Sequence, residues 1–197
     1  MIFVAPIVEG QGEVQAVPEL LRRIVAASAA GKSIAVNPPI RVKSGSFLND
    51  AGYFDRYLAM AAAKARQHRA GHVLVLLDCE DDCPATLGPD LLRRARAVAN
   101  DVAIVVALAR REYETWFVAA AQSLRGVQGL SPDAQAPADP AATRDAKGWL
   151  GRLMPHRYDP IADQLPFTRA FDLQSARRVV SFDRLYRKLA AIAAASP

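Results

Sequence analysis

Apolar runs that alternate with amphipathic segments are the feature that most constrains the fold of this 197-residue chain. Three runs are almost continuously hydrophobic and short enough to be buried strands, at residues 2–8, 72–77 and 102–109. Three segments between these runs have the apolar spacing of helices, at residues 13–29, 52–69 and 90–99. This alternation predicts an α/β fold with a mainly parallel, Rossmann-like sheet flanked by helices.

The chain changes character after residue 127. Residues 131–143 are rich in Pro and Ala and poor in large apolar side chains, which is typical of an exposed loop. The remainder is predicted to be helical at 144–154 and 174–195, with an irregular stretch from Tyr158 to Asp172. We therefore expect an α/β domain at 1–127, a loop or linker at 128–143, and a C-terminal helical extension packed on the same domain at 144–197.

The composition is that of a soluble globular protein, with 51% hydrophobic and 23% charged residues. No hydrophobic run is long enough to cross a membrane, and the N-terminal segment lacks the basic region of a signal peptide. The two cysteines, Cys79 and Cys83, have no second pair that would complete a zinc site. These features predict a cytoplasmic protein with no membrane partner.

The net charge of +5 suits a polyanionic partner such as DNA or RNA. The basic residues are scattered as pairs and triplets, so only patches of positive charge are expected. A mildly basic surface with no such partner explains the charge equally well.

Acidic residues follow three of the predicted strands. Glu9 and Glu13 follow the first, Asp78, Glu80 and Asp82 follow the run at 72–77, and Glu112 and Glu114 follow the run at 102–109. Because the carboxyl ends of parallel strands meet at one edge of a sheet, these side chains are expected to converge. Two carboxylates about 5 Å apart repel by roughly 3 kcal/mol at an effective dielectric of about 20. Such a cluster calls for a cation, and hard oxygen ligands favour Mg²⁺ or Mn²⁺ over zinc.

Each of these acids also has a structural interpretation. Glu9 and Glu13 could stabilise a helix N-terminus through its dipole. Glu112 and Glu114 could pair with Arg110 and Arg111. The aromatic side chains that follow, Trp116 and Phe117, are predicted to lie in the core rather than to stack on nucleic-acid bases.

Two lysines are candidates for binding a phosphate or a phosphate-containing cofactor. Lys43 precedes Ser44 and Gly45 at the end of the extended segment 34–43, and Lys147 lies on a predicted helix. No Gly-x-x-x-x-Gly-Lys-Ser/Thr sequence is present, which excludes nucleotide hydrolysis by a P-loop in this chain.

The turn Glu9-Gly10-Gln11-Gly12-Glu13 and the later Asp78-Cys79-Glu80 resemble the Toprim domain of topoisomerases, primases and the overcoming-lysogenization-defect nucleases. That domain has a Glu in a Gly-containing turn after its first strand and an Asp-x-Asp pair after a later strand. Glu80 replaces the second Asp of that pair here. The Glu-Gly-x-x-Glu spacing resembles the nuclease branch.

The ordered set of motifs resembles a bacterial Toprim-like family catalogued as domain of unknown function 4276. The set comprises EGQGE (9–13), DCEDDCP (78–84), EYETWF (112–117) and SFDRL (181–185). The resemblance implies metal-dependent phosphodiester chemistry and, as a partner, a separate ATPase in mobile or defence loci.

Residue by residue, the resemblance implies catalytic roles for Glu9, Glu13 and Asp78. It implies a metal site made of Glu9, Asp78, Glu80, Asp82 and Glu114. The leading hypothesis is therefore a Mg²⁺-dependent nuclease or phosphoryl-transfer enzyme that acts on nucleic acid. The alternatives are a non-catalytic subunit that works with an ATPase and a metal-dependent phosphatase of small molecules.

Overall fold

Five parallel strands form the sheet at the centre of the computed structural model, which describes residues 1–196. The strands are β1 (Ile2–Val8), β2 (Ile34–Val36), β3 (Ile40–Arg41), β4 (Gly71–Asp78) and β5 (Ala103–Ala109). The order is β2-β1-β4-β5, and β3 also pairs with β1, beyond the end of β2. The predicted α/β class with a mainly parallel sheet is confirmed.

Helices cover both faces of the sheet. Their bounds are α1 (Glu13–Ser28), α2 (Ser44–Asn49), α3 (Ala51–Arg66), α4 (Pro84–Val98), α5 (Thr115–Ala119), α6 (Ala146–Gly151), α7 (Pro160–Ala170), α8 (Leu173–Ala176) and α9 (Val180–Ala195). On one face α3 packs against β1 and β4, and α4 packs against β5. On the other face α1 contacts α7 and α9, and α9 reaches β5. None of these helices within residues 1–196 combines the length and apolar character needed to cross a bilayer.

The continuous apolar runs of the central strands follow from this double cover. Successive side chains of a strand point to opposite faces. Leu74 and Leu76 of β4 accordingly join the core beneath α1 and α9, whereas Val73 and Val75 join the core beneath α3 and α4. A strand that is buried on both faces has no polar alternation, which is why β4 was readable as a hydrophobic run.

The C-terminal helices contribute large aromatic side chains to the core beneath α1. Three of them are fully buried: Phe167 of α7, Phe171 between α7 and α8, and Phe182 of α9. The ring centroids of Phe171 and Phe182 lie 5.6 Å apart. Trp116 packs edge-on against Phe182 at 5.2 Å, and Phe117 is also fully buried. The expectation that Trp116 and Phe117 belong to the core is confirmed. The domain boundaries at 127 and 143 stay a prediction.

Three local predictions were wrong. Residues 160–170 were expected to be irregular, but they form α7, which has Pro160 in its first turn and the Asp159 side chain accepting the N–H of Ile161. Helix α4 begins at Pro84 rather than at residue 90. The loop predicted at 131–143 is irregular but only partly exposed, since Ala134 and Pro140 are buried.

Gly12, at the start of α1, lies against α7. A Cβ atom at this position would lie 2.2 Å from the Pro160 carbonyl oxygen and 2.2 Å from Oε1 of Gln164. We expect Gly12→Ala to lower the free energy of unfolding by about 2 kcal/mol, because backbone must move to make room. Gly45→Ala is the matched control, since nothing lies within 4 Å of its Cβ position. Urea unfolding curves measure both, and equal stability of the two variants would contradict the packing described.

Candidate functional site

A cavity of about 340 Å³ opens at the carboxyl ends of the central strands. It is lined by the turn after β1, the end of β4, the segment after β5, and residues from α6 and α7: Glu9, Gly10, Gln11, Gly12, Glu13, Asp78, Glu114, Lys147, Asp159, Pro160, Ile161 and Gln164. Five acidic residues from four separate segments of the chain therefore line one cavity with one lysine. This is the edge at which open parallel sheets bind ligands.

The turn after β1 holds two of these carboxyl groups. Glu13 is 4% exposed, and its Oε2 accepts the backbone N–H groups of Glu9 at 3.0 Å and Gly10 at 3.2 Å. The Ser44 hydroxyl donates to Oε1 of Glu9 at 2.5 Å. The backbone of the turn is therefore fixed by the side chain of Glu13, while Glu9 is oriented from the neighbouring helix α2.

The end of β4 and the segment after β5 are joined by a carboxylate–amide contact. Oδ1 of Asp78 accepts the backbone N–H of Tyr113 at 2.8 Å. Glu114 follows on the same segment and is 1% exposed. Its Oε1 accepts the Tyr158 hydroxyl at 3.1 Å, and its Oε2 lies 3.3 Å from the Lys147 ammonium nitrogen.

Lys147 is the cation of the cavity. Its Nζ lies 3.1 Å from Oε1 of Glu112 and 3.3 Å from Oε2 of Glu114. The backbone N–H groups of Ala146 and Lys147 also donate to Oε2 of Glu112, at 2.9 and 3.3 Å. The start of α6 is therefore held against the segment after β5 by charge-assisted bonds. The alternative in which Glu112 and Glu114 pair with Arg110 and Arg111 is wrong, because Lys147 takes that place and Arg111 contacts Asp81 instead.

Burial and mutual repulsion raise the pKa of the cavity carboxyl groups. Burial is the main cause of the rise in the pKa of Glu13 to about 7, and the charges of Glu114 and Glu9 add to it, against two backbone hydrogen bonds that lower it. Burial also raises the pKa of Asp78 well above its usual value, reinforced by the charges of Glu13 and Glu114. Burial raises the pKa of Glu114 as well. The positive charge of Lys147 acts in the opposite direction and lowers the pKa of both Asp78 and Glu114. Five acidic residues share the cavity with one lysine, so their full ionisation would leave an excess of negative charge.

The carboxylate side chains of the cavity are of the chemical type that binds hard divalent cations. Carboxylate oxygens are the ligands that Mg²⁺ and Mn²⁺ prefer. The side chains do not converge on a common point, because no group of three or more His, Cys, Asp or Glu side chains within residues 1–196 has the arrangement of a metal site. Donors of the protein itself, chiefly Lys147 and the amides of Glu9, Gly10 and Tyr113, occupy the carboxylate oxygens.

The structure brings together five of the eight side chains that the sequence singled out. Glu9, Glu13, Asp78, Glu114 and Lys147 line the cavity. The other three are exposed and do not line it: Lys43, Glu80 and Asp82. Glu80 has a φ of +43°, an uncommon conformation for a residue other than Gly, and its amide donates to the Arg111 carbonyl at 3.1 Å.

Sequence reasoning missed two residues that shape the cavity. Tyr158 donates its hydroxyl to Glu114, and Gln164 lies on the wall formed by α7. Both belong to the stretch that was expected to be irregular. The signal that could have placed them was the Asp159-Pro160 pair, a helix N-cap followed by Pro in the first turn.

A protein-family model described as Domain of unknown function (DUF4276) matches residues 8–190. The chain belongs to this family. The residues matched to DUF4276 include the turn after β1, all of the cavity side chains and most of α9. No curated protein and no solved structure matches the chain.

Proposed function

We propose that this member of the DUF4276 family is a Toprim-like, Mg²⁺- or Mn²⁺-dependent phosphodiesterase that cleaves DNA or RNA. The observation that carries the proposal is that Glu9, Glu13, Asp78 and Glu114, from three chain segments, line one cavity at the carboxyl ends of the strands. The order of these acids along the chain, with Glu-Gly-x-x-Glu first and Asp after a later strand, supports the Toprim relationship.

The cavity residues divide into two groups under this proposal. Glu9, Asp78 and Glu114 would hold the ion, which supplies charge stabilisation at the phosphate and an activated water molecule. Glu13 is the proton-transfer group, since its carboxyl group has a pKa of about 7 and faces the same cavity. Lys147 would move from the carboxylates toward the substrate phosphate. Glu80 and Asp82 have no role in this version of the site.

One observation favours a second function, that of a non-catalytic subunit working with a separate ATPase. Lys147 already bridges Glu112 and Glu114, and the carboxyl groups of the cavity do not converge on one point. A lysine held in this way can neutralise the buried carboxylates without taking part in catalysis. Under this interpretation the cavity stabilises the fold, and the isolated chain has no cleavage activity.

A plasmid-nicking assay separates these functions. With Mg²⁺ or Mn²⁺ and supercoiled or single-stranded substrate, we expect the wild-type chain to cleave and Asp78→Asn to be at least about a hundredfold slower, because an ion ligand is lost. Asp82→Asn is the matched control, since Asp82 is exposed and outside the cavity. Cleavage that survives in both Glu9→Ala and Asp78→Asn would reject the proposal. Turnover of a generic phosphoester without nucleic-acid cleavage would favour a small-molecule phosphatase.

A further inference from the structure

A second and larger cavity, of about 640 Å³, forms a groove along the outer edge of the sheet. Its floor is β5, one wall is the first half of α4, and the other wall is the N-terminal half of α9. None of its lining residues belongs to the carboxylate cavity. The function proposed above therefore leaves this groove unexplained.

The floor of the groove is an open strand edge. β5 is the last strand in the sheet order, so one side of it has no strand neighbour within residues 1–196. On that side Lys188 Nζ donates to the Val106 carbonyl at 3.0 Å, and the Arg110 N–H donates to the Ser181 hydroxyl at 3.1 Å. Backbone groups alternate in direction along a strand, so the N–H and C=O of Leu108, which lies between these two, also point into the groove. A strand placed here would bond to the main chain of Leu108 and would replace the contacts that Lys188 and Ser181 make with Val106 and Arg110.

The two walls differ in chemistry. The α4 wall is apolar along its length and presents Pro84, Pro89 and Leu92. The α9 wall carries Arg184 and Lys188, which are one helical turn apart. Among the residues that the structure describes, no Asp or Glu lines the groove. Burial and the charge of Arg184 lower the pKa of Lys188, as expected where positive charge is not neutralised. An occupant that fits is apolar toward α4 and acidic toward α9.

We propose that this groove binds an extended segment of a partner protein, with alternating apolar and acidic residues, as an additional strand beside β5. Successive side chains of such a segment point to opposite faces, so its apolar residues meet the α4 wall and its carboxylates meet Arg184 and Lys188. A second copy of this chain is a poorer occupant, because pairing two β5 edges would bring two sets of like charges together. The inference is independent of the proposed phosphodiesterase activity.

Defined peptides test the pattern directly. The probe is a fluorescent peptide of alternating valine and glutamate, blocked at both ends, titrated with the full chain and followed by anisotropy. We expect binding that weakens with salt, and at least about tenfold weaker binding of a valine–lysine peptide and of a valine–glutamate peptide with a central proline. Cys83 lines the groove and is exposed, whereas Cys79 is buried. Its alkylation by iodoacetamide should slow when the peptide is bound.

Variants of the chain locate the site. Arg184→Glu with Lys188→Glu should weaken binding of the acidic peptide at least about tenfold. Arg93→Glu with Arg96→Glu is the control, since it makes the same charge change on exposed positions of α4 that do not line the groove. Gly88→Leu should block binding without a change in charge, because a Cβ there meets Leu108 at an ordinary 3.8 Å and the added side chain enters the groove. The proposal is overturned if wild-type chain binds neither charged peptide, if it binds both equally, or if the Arg184/Lys188 variant binds as wild type does.

Discussion

Glu13→Gln should abolish cleavage and make the protein more stable at pH 8. The first effect follows from the proposed function: loss of a proton-transfer group costs about 10²- to 10⁴-fold in rate. The second follows from the burial of the carboxyl group. A neutral amide retains the oxygen that accepts the N–H groups of Glu9 and Gly10 and removes a charge from a cavity that has an excess of negative charge.

The raised pKa of Glu13 makes the stability of the wild-type protein fall as the pH rises. In the unfolded chain the Glu13 carboxyl group ionises near its ordinary pKa of 4.5, and in the folded chain it ionises at about 7. Between these values the unfolded chain binds fewer protons, so raising the pH favours unfolding, and the stability that is complete below pH 4.5 is lost by about pH 7. The difference between Glu13→Gln and wild type should thus rise to about 3 kcal/mol at pH 8 and vanish below pH 4.5.

Urea unfolding in EDTA across this pH range measures the stability difference without interference from a metal. Glu19→Gln is the control on the same helix, because Glu19 is partly exposed, lies 3.8 Å from Arg22 and does not line the cavity. Its stability should stay within about 0.5 kcal/mol of wild type at every pH. Parallel curves for wild type and Glu13→Gln would show that the Glu13 carboxyl group is not destabilised by burial.

The sequence predicted the part of the site that depends on strand ends. Asp78 could be placed beside Glu9 because β1 and β4 are recognisable as buried strands and their carboxyl ends must meet. The same rule also predicted Glu80 at this cavity, but Glu80 does not line it. Residues two apart on a strand share a face, but the backbone leaves the strand after Asp78 and turns through a positive φ at Glu80, which directs that side chain away.

The rest of the cavity depends on packing that has no local signature. Lys147 reaches Glu112 and Glu114 only because α6 docks on the segment after β5, more than thirty residues earlier in the chain. Tyr158 reaches Glu114 by a similar long connection. Composition was also misleading between residues 131 and 143, where the small side chains of Ala134 and Pro140 are buried without an obvious hydrophobic pattern.

Lys147→Met should destabilise the protein by about 2 kcal/mol at pH 8 in EDTA. The substitution keeps the aliphatic length and removes the charge that faces Glu112 and the fully buried Glu114. Breaking a buried ion pair costs about 3–5 kcal/mol, and the partial exposure of Lys147 reduces this value. The loss should shrink as the pH falls, because Glu114 and Asp78, whose pKa values are raised by burial, then take up protons instead.

The same variant tests the proposed metal site through stability rather than activity. Without the ammonium group, no lysine competes with Mg²⁺ or Mn²⁺ for the carboxylates. Added metal should therefore raise the stability of Lys147→Met more than that of wild type. Each increase equals RT ln(1 + [M]/Kd) for the Kd of that variant. Lys43→Met is the matched control, since Lys43 is exposed and outside the cavity, and it should change stability by less than about 0.5 kcal/mol with or without metal. If metal stabilises the two lysine variants equally, the carboxyl groups around Lys147 are a structural ion-pair network rather than a cation site.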